Sequence, residues 1–212
     1  MHELIASPFL GEYMILKPGE PRGLRIPREA YLALAVAEEF PELLVTAARS
    51  AWNDDLHQRQ TAGRLLVRPE VAYPFGKATY ELNLGCNYDC EHCYLGLKTF
   101  AGLDWPDRER LLETIRDAGV LWLQLTGGEP MVDRLFAAVY TKAYELGMML
   151  EVLTNGSRLA NDRILELLTM HRPSKMSLSV YGATAETYDG VGEVGGFGAI
   201  GSFYRGHVRC AA

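Results

Sequence analysis

The chain has 212 residues, enough for one domain or for a small domain followed by a medium one. With 48% hydrophobic and 23% charged residues it can bury a core, which excludes wholesale disorder. The net charge of −6 argues against partners that are nucleic acids or membrane surfaces, and no apolar run approaches the ~18 residues of a membrane span. Because residues 1–16 lack the pattern of a signal peptide, we expect a cytoplasmic protein.

Residues 1–70 are predicted to form a small α+β N-terminal region. Residues 12–26 have the strand and turn residues of a β-hairpin, and two helices are expected, one from about Pro27 and one from Pro41. The pattern over residues 58–66 fits a helix or a strand equally well.

Residues 71–189 are predicted to form an α/β domain in which apolar strands alternate with amphipathic helices. This alternation favours a parallel sheet wrapped by helices. Residues 190–212 contain seven of the 21 glycines, and we expect them to be a disordered tail. The predicted strands are 78–84, 120–125, 149–153 and 175–180; the predicted helices are 106–118, 132–146, one capped near Asn161 or Asp162, and one capped by Thr184.

The unusual polar motifs all fall at the carboxyl ends of these predicted strands. They are Cys86, the segment Thr126–Pro130, Asn155 and Ser179. In parallel α/β folds the functional site lies at that edge of the sheet, so we expect the four motifs to meet there.

Three of the four cysteines are clustered, with the spacing C-x3-C-x2-C, at Cys86, Cys90 and Cys93. Clustered thiols without an export signal indicate metal ligands rather than disulfides. Three thiolates on one tight loop can hold three irons of a cubic cluster and leave the fourth iron open. The alternative is a zinc site, whose fourth ligand would be one of three residues: His92, His207 or Cys210.

In these motifs the chain resembles the radical S-adenosylmethionine (radical SAM) superfamily over residues 78–188. The cysteine loop follows the first predicted barrel strand, Thr126–Pro130 (TGGEP) the second, and Thr154–Gly156 (TNG) the third. After the fourth strand, Ser179–Thr184 (SVYGAT) is similar to a segment that often reads SLDGAT in peptide-modifying members. The resemblance implies a partial (β/α) barrel with about four of the family's usual six units, and thus a chain that is truncated at its C-terminus.

The same resemblance implies a [4Fe-4S] cluster on the three clustered cysteines, with S-adenosylmethionine bound at its open iron. His92 would lie along the adenine, the glycine motif would hold the methionine amino group, and Asn155 and Ser179 would contact the methionine carboxylate or the ribose. The implied cofactor-binding residues are His92, Thr126, Gly127, Gly128, Glu129, Asn155 and Ser179.

The activity that the resemblance implies is reductive cleavage of S-adenosylmethionine, with flavodoxin or ferredoxin as reductant, and hydrogen abstraction from a substrate by the 5′-deoxyadenosyl radical. The N-terminal region looks like the winged-helix domain that captures a leader peptide as an added strand, which makes a peptide the expected substrate. The alternative is a protein without catalysis: a truncated relic, or a peptide-binding protein with a structural metal cluster.

Overall fold

The N-terminal half of the fold is a four-stranded sheet covered by two helices. The computed structural model describes residues 2–72, 75–182 and 184–192. The sheet order is β3-β2-β1-β4, with β1 and β4 parallel and the other pairs antiparallel. Its elements are β1 (Leu4–Phe9), β2 (Glu12–Leu16), β3 (Leu24–Ile26), α1 (Arg28–Leu34), α2 (Glu42–Trp52) and β4 (Leu65–Val67).

The hairpin and both helices predicted for this region are present, but β1 was not predicted. Leu4, Ile5 and Ala6 are all fully buried, so β1 lacks the alternation by which a half-buried strand is recognised. Within the undecided segment 58–66, only its end becomes regular, as the short strand β4 beside β1.

The second half of the fold is a parallel sheet, as predicted for an α/β protein. Its order is β5-β6-β7-β8, and each connection between neighbouring strands contains a helix. This is the arrangement of an open, partial (β/α) barrel of four units. The elements are β5 (Lys77–Glu81), α3 (Trp105–Asp117), β6 (Trp122–Thr126), a 3₁₀ turn (Pro130–Val132), α4 (Phe136–Glu145), β7 (Met149–Thr154), α5 (Asp162–Met170), β8 (Lys175–Leu178) and α6 (Ala185–Gly192).

Two predicted boundaries in this half differ from the structure by three residues or more. The first strand ends at Glu81 rather than at residue 84, because the chain leaves the sheet after Leu82, whose N–H still donates to the Thr126 carbonyl of β6 at 3.0 Å. The fourth helix, α4, begins at Phe136 rather than at residue 132, because the chain first makes the 3₁₀ turn. Of the two predicted caps of α5, Asn161 is the N-cap, and its side chain accepts hydrogen bonds from two backbone N–H groups. Residues 193–212, most of the predicted tail, lie outside the described residues.

Both sheets are held together by apolar contacts. The helix-covered face of the parallel sheet packs Leu123, Leu125 and Val152 against α4. At the amino ends of β6 and β7, Leu121 and Met149 pack on Ile5 and Leu16 of the N-terminal sheet. The N-terminal unit therefore lies at the base of the parallel sheet, and the carboxyl ends of its strands stay free. No helix in the described ranges is long and apolar enough to cross a membrane.

Candidate functional site

A cavity of about 200 Å³ opens at the carboxyl ends of the parallel strands. It brings together nine of the ten residues that the sequence singled out. These are Cys86, Cys90, His92, Cys93, Thr126, Gly127, Gly128, Asn155 and Ser179. Their convergence follows from the topology, because parallel strands β5 to β8 all end at this edge.

The three thiols lie on the loop that follows β5, and all three are partly exposed. The Cys86 sulfur accepts hydrogen bonds from the backbone N–H of Tyr88 (3.4 Å) and from the Asn155 side-chain amide (3.7 Å). The Cys93 N–H donates to the Cys90 carbonyl at 3.0 Å, which makes the loop turn tightly. Burial raises the pKa of Cys86 and that of Cys90, so a bound metal would have to stabilise their thiolates at neutral pH.

The chemistry of the three thiols suits an iron–sulfur cluster. A zinc ion would need its sulfurs about 2.3 Å from a common point. In an iron–sulfur cluster each thiolate binds its own iron, so three thiols spaced around one cavity suit it. Two of the ligands considered for zinc, His207 and Cys210, lie outside the described residues.

The two glycines after β6 lie directly against the segment that leads into Cys86. The Gly128 N–H donates to the Asn83 carbonyl at 3.0 Å, and the Glu129 N–H donates to the Gly85 carbonyl at 2.9 Å. A Cβ atom on Gly127 would lie 2.2 Å from the Asn83 oxygen, and one on Gly128 would lie 2.2 Å from the Gly85 oxygen. Glycine is therefore required at both positions because the turn lies in backbone contact with residues 83–85, apart from any contact with a ligand.

Glu129 differs from the other candidates because it is fully buried and does not line the cavity. Its carboxylate accepts bonds from the Met131 N–H (3.0 Å), the Thr154 hydroxyl (2.8 Å) and the Asn155 N–H (2.7 Å). Burial raises the pKa of this carboxyl group. Glu129 thus ties the turn after β6 to the end of β7, and its direct contact with a methionine amino group stays a prediction.

Three tyrosines that the sequence analysis did not select also line the cavity: Tyr88, Tyr94 and Tyr181. Tyr88 lies within the cysteine motif and Tyr181 within the segment after β8. The Tyr181 ring meets the His92 ring edge to face, with centroids 5.0 Å apart. The positions of Tyr88 and Tyr181 inside the two motifs were the available signal, since aromatic rings there would face whatever the motifs bind.

Asn155 lines the cavity and makes several hydrogen bonds there. Its amide nitrogen donates to the Asn87 side-chain oxygen at 3.2 Å, besides the bond to Cys86, and its own oxygen accepts from the Ser157 N–H at 2.9 Å. The backbone N–H of Ser179 donates to the Thr154 carbonyl at 3.0 Å, which places β8 beside β7 at the rim. The arrangement can hold a cluster on one side and a polar ligand against the other.

Curated relatives share part of this chain. It is 30% identical over 91 residues to an S-adenosylmethionine-dependent nucleotide dehydratase of Selenomonas ruminantium. The aligned segment covers 41% of this chain and 33% of that protein. It is 27% identical over 114 residues to AlbA of Bacillus subtilis, a protein of subtilosin biosynthesis, covering 53% and 25% respectively. The chain therefore spans a third or less of the length of these relatives.

Among solved structures, SuiB of Streptococcus suis shares the fold, with a TM-score of 0.55 at 14% identity over 92% of this chain and 49% of SuiB. The family model of the Radical SAM superfamily matches residues 80–197, more than half of the chain. That span begins within β5 and contains every residue of the cavity named above. The chain belongs to the radical SAM superfamily.

Proposed function

We propose that this chain takes part in radical SAM catalysis, with a [4Fe-4S] cluster on Cys86, Cys90 and Cys93 and S-adenosylmethionine beside it. The observation that carries the proposal is that the three thiols and the Gly127–Gly128 turn line one cavity. When bound, the two cofactors would supply a 5′-deoxyadenosyl radical able to abstract hydrogen from a substrate.

The protein's own part would be to bind and orient these groups. The Asn155 amide points at the Cys86 sulfur, so it can stabilise the thiolate form by hydrogen bonding. A ligand can approach the backbone of the glycine turn closely because no Cβ atom intervenes. His92 and Tyr181 form an aromatic wall against which a planar base can pack.

The cluster is tested by anaerobic reconstitution with iron and sulfide. We expect a brown protein with about four irons per chain, and loss of the cluster in Cys86→Ala, Cys90→Ala or Cys93→Ala. Cys210→Ala is the matched control and should keep the iron. A colourless protein with one zinc would contradict the proposal. Formation of 5′-deoxyadenosine with dithionite then separates an enzyme from the alternative of a non-catalytic protein with a structural cluster.

We further propose that the substrate is a peptide and that residues 1–70 bind part of it. In the described residues β3 pairs only with β2, so the other edge of β3 offers free backbone groups to an added strand. Beside this edge an apolar cleft of about 320 Å³ lies between β3, α1 and α2, lined by Leu24, Ile26, Leu34 and Leu43 among others. SuiB, which shares the fold, has been solved with its precursor peptide SuiA.

Ala33 and Ala35 give a matched pair for testing the cleft. Both are exposed on or just after α1, but only Ala33 lines the cleft. Ala33→Trp should fill the cleft and abolish binding of peptides that are selected on the parent protein from a display library. Ala35→Trp should bind them as the parent does. Equal binding by both variants would exclude the cleft as the peptide site.

A further inference from the structure

Arg108, in the first turn of α3, forms a buried ion pair with Asp133. Both side chains are 2% exposed. The contact is bidentate, with Nη1 to Oδ1 at 3.0 Å and Nη2 to Oδ2 at 2.8 Å. The guanidinium also donates from Nε to the Leu103 carbonyl at 2.6 Å and from Nη2 to the Leu82 carbonyl at 3.4 Å. It thus joins α3, the end of the loop before it, and the chain just beyond β5.

The pair continues into the segment before Cys86. Asp133 accepts a hydrogen bond from the Asn83 side-chain amide, and the Asn83 side-chain oxygen accepts from the Gly85 N–H at 2.8 Å. The Asn83 carbonyl is the acceptor of the Gly128 N–H. The ion pair is therefore two hydrogen bonds away both from Gly85, next to the first cysteine, and from the glycine turn.

Neither Arg108 nor Asp133 lines the cofactor cavity. The space around the guanidinium is filled, since a Cβ atom on Gly102 would lie 2.2 Å from Nη2 and 2.4 Å from the Leu82 oxygen. A buried ion pair adds little net stability compared with an apolar pair of similar size. Stability therefore does not explain why the ion pair lies next to the cysteine segment and the glycine turn.

We propose that Arg108 and Asp133 are positioning residues, which hold the cysteine segment and the glycine turn in the relative position that the cofactors require. The inference rests on the proposed function of the cavity. It assigns the pair no contact with cofactor or substrate. Its effect would pass through Asn83. The Asn83 side chain is hydrogen-bonded to Asp133 and to the Gly85 N–H before the first cysteine, and the Asn83 carbonyl accepts from the Gly128 N–H in the glycine turn.

Arg108→Lys is the variant that tests this. Lysine keeps the positive charge, so Asp133 is not left as a lone buried charge. One ammonium group cannot, however, make the bidentate contact with Asp133 and also donate to the Leu103 and Leu82 carbonyl groups, as the guanidinium does. Lys142→Met is the control, because Lys142 also links α3 to α4, through Glu109 (2.8 Å) and Glu113 (3.2 Å), away from the cavity.

The first measurement is hydrogen exchange in the metal-free protein. In Arg108→Lys the amides of Gly85, Gly128 and Glu129 should exchange about 10-fold faster, while amides within β6 and β7 keep the parent's rates. Lys142→Met should leave all of them unchanged. Parent-like exchange of the three amides, or an equal increase in β6 and β7, would overturn the proposal and make the pair an ordinary stability element.

The second measurement is the dissociation constant of S-adenosylmethionine for the reconstituted protein, which should rise about 10-fold or more in Arg108→Lys and stay unchanged in Lys142→Met. An unchanged constant in Arg108→Lys would overturn the proposal. If Arg108→Lys does not fold, Asp133→Asn, which keeps the side-chain shape, is put through both measurements with the same criteria. If the parent does not bind S-adenosylmethionine, the proposed function fails, and the exchange result alone decides on positioning.

Discussion

Gly128 lies against the carbonyl group of Gly85, the residue before Cys86. The motif after β6 and the cysteine loop are thus in direct backbone contact, and neither can move without the other. A ligand-binding role for the glycines would predict that a side chain at residue 128 weakens S-adenosylmethionine binding and spares the cluster. The observed contact predicts that the cluster is affected as well.

Gly128→Ala should therefore lower the iron content after reconstitution to less than half that of the parent, because its Cβ atom forces residues 84 and 85 away. Gly96→Ala is the control. Gly96 lies three residues after Cys93, and a Cβ atom there would meet nothing within 4 Å. Iron and sulfide analysis checks both variants. Normal iron with weakened S-adenosylmethionine binding in Gly128→Ala would instead restore the purely ligand-based role.

Asn155 is placed to affect the reduction potential of the proposed cluster. Its side-chain amide nitrogen lies 3.7 Å from the Cys86 sulfur, to which it donates, and hydrogen bonds to cluster sulfurs stabilise the reduced state. Asn155→Ala should lower the reduction potential of the reconstituted cluster, measured by redox titration with electron paramagnetic resonance. Asn161→Ala serves as control, since Asn161 caps α5 without lining the cavity. Equal potentials in the two variants would contradict a role for this bond.

At the scale of elements, the parallel sheet was predictable and the loops between its strands were not. The strands are apolar runs separated by amphipathic helices, a local pattern that needs no knowledge of the fold. Residues 82–84 were predicted as the end of the first strand, but the chain leaves the sheet after Leu82, and residues 83–85 contact the turn at Gly127 and Gly128, some 40 residues later in the chain. No local pattern encodes such a contact. The burial of Glu129 was missed for the same reason, since two of its partners, Thr154 and Asn155, lie at the end of β7 and just after it.

The cap of α5 was predictable, and it can be tested as an element. The Asn161 side-chain oxygen accepts from the N–H groups of Arg163 (3.1 Å) and Ile164 (3.3 Å), which otherwise lack partners in the first turn. Asn161→Ala should lower the free energy of unfolding by about 1 kcal/mol. Asp162→Ala removes a neighbouring side chain outside the cap and should cost less. Urea unfolding followed by circular dichroism decides, and equal losses in both variants would contradict the cap.

At the scale of the whole molecule, the N-terminal unit and the parallel sheet meet at a ring stack as well as at an apolar contact. The His2 ring stacks on Tyr144 of α4, with centroids 4.8 Å apart, and Tyr144 in turn meets His171 at 4.4 Å. The Tyr144 hydroxyl donates to the His2 carbonyl at 3.0 Å. One side-chain nitrogen of each histidine is buried without a hydrogen-bond partner in the described part of the chain. Neither ring can therefore accept a proton without cost.

The stability of the molecule should consequently depend on pH through these histidines. Burial, the largest cause, lowers the pKa of His2 to about 4 from its usual 6.5, and burial also lowers the pKa of His171. At a pH between about 4 and 6.5, His2 binds a proton in the unfolded chain but not in the folded chain. The free energy of unfolding therefore falls as the pH drops from 7 to 4, and below about pH 4 the loss is complete.

His2→Phe should keep the stack and remove this titration, so its unfolding free energy should fall less steeply between pH 7 and pH 4 than that of the parent. The difference attributable to His2 is at most about 3 kcal/mol, and smaller to the extent that water reaches the ring. His57→Gln is the control, because that side chain is 55% exposed. Urea unfolding at several pH values gives the slopes. A slope in His2→Phe equal to that of the parent would show that protonation of His2 does not weaken the contact between the two units.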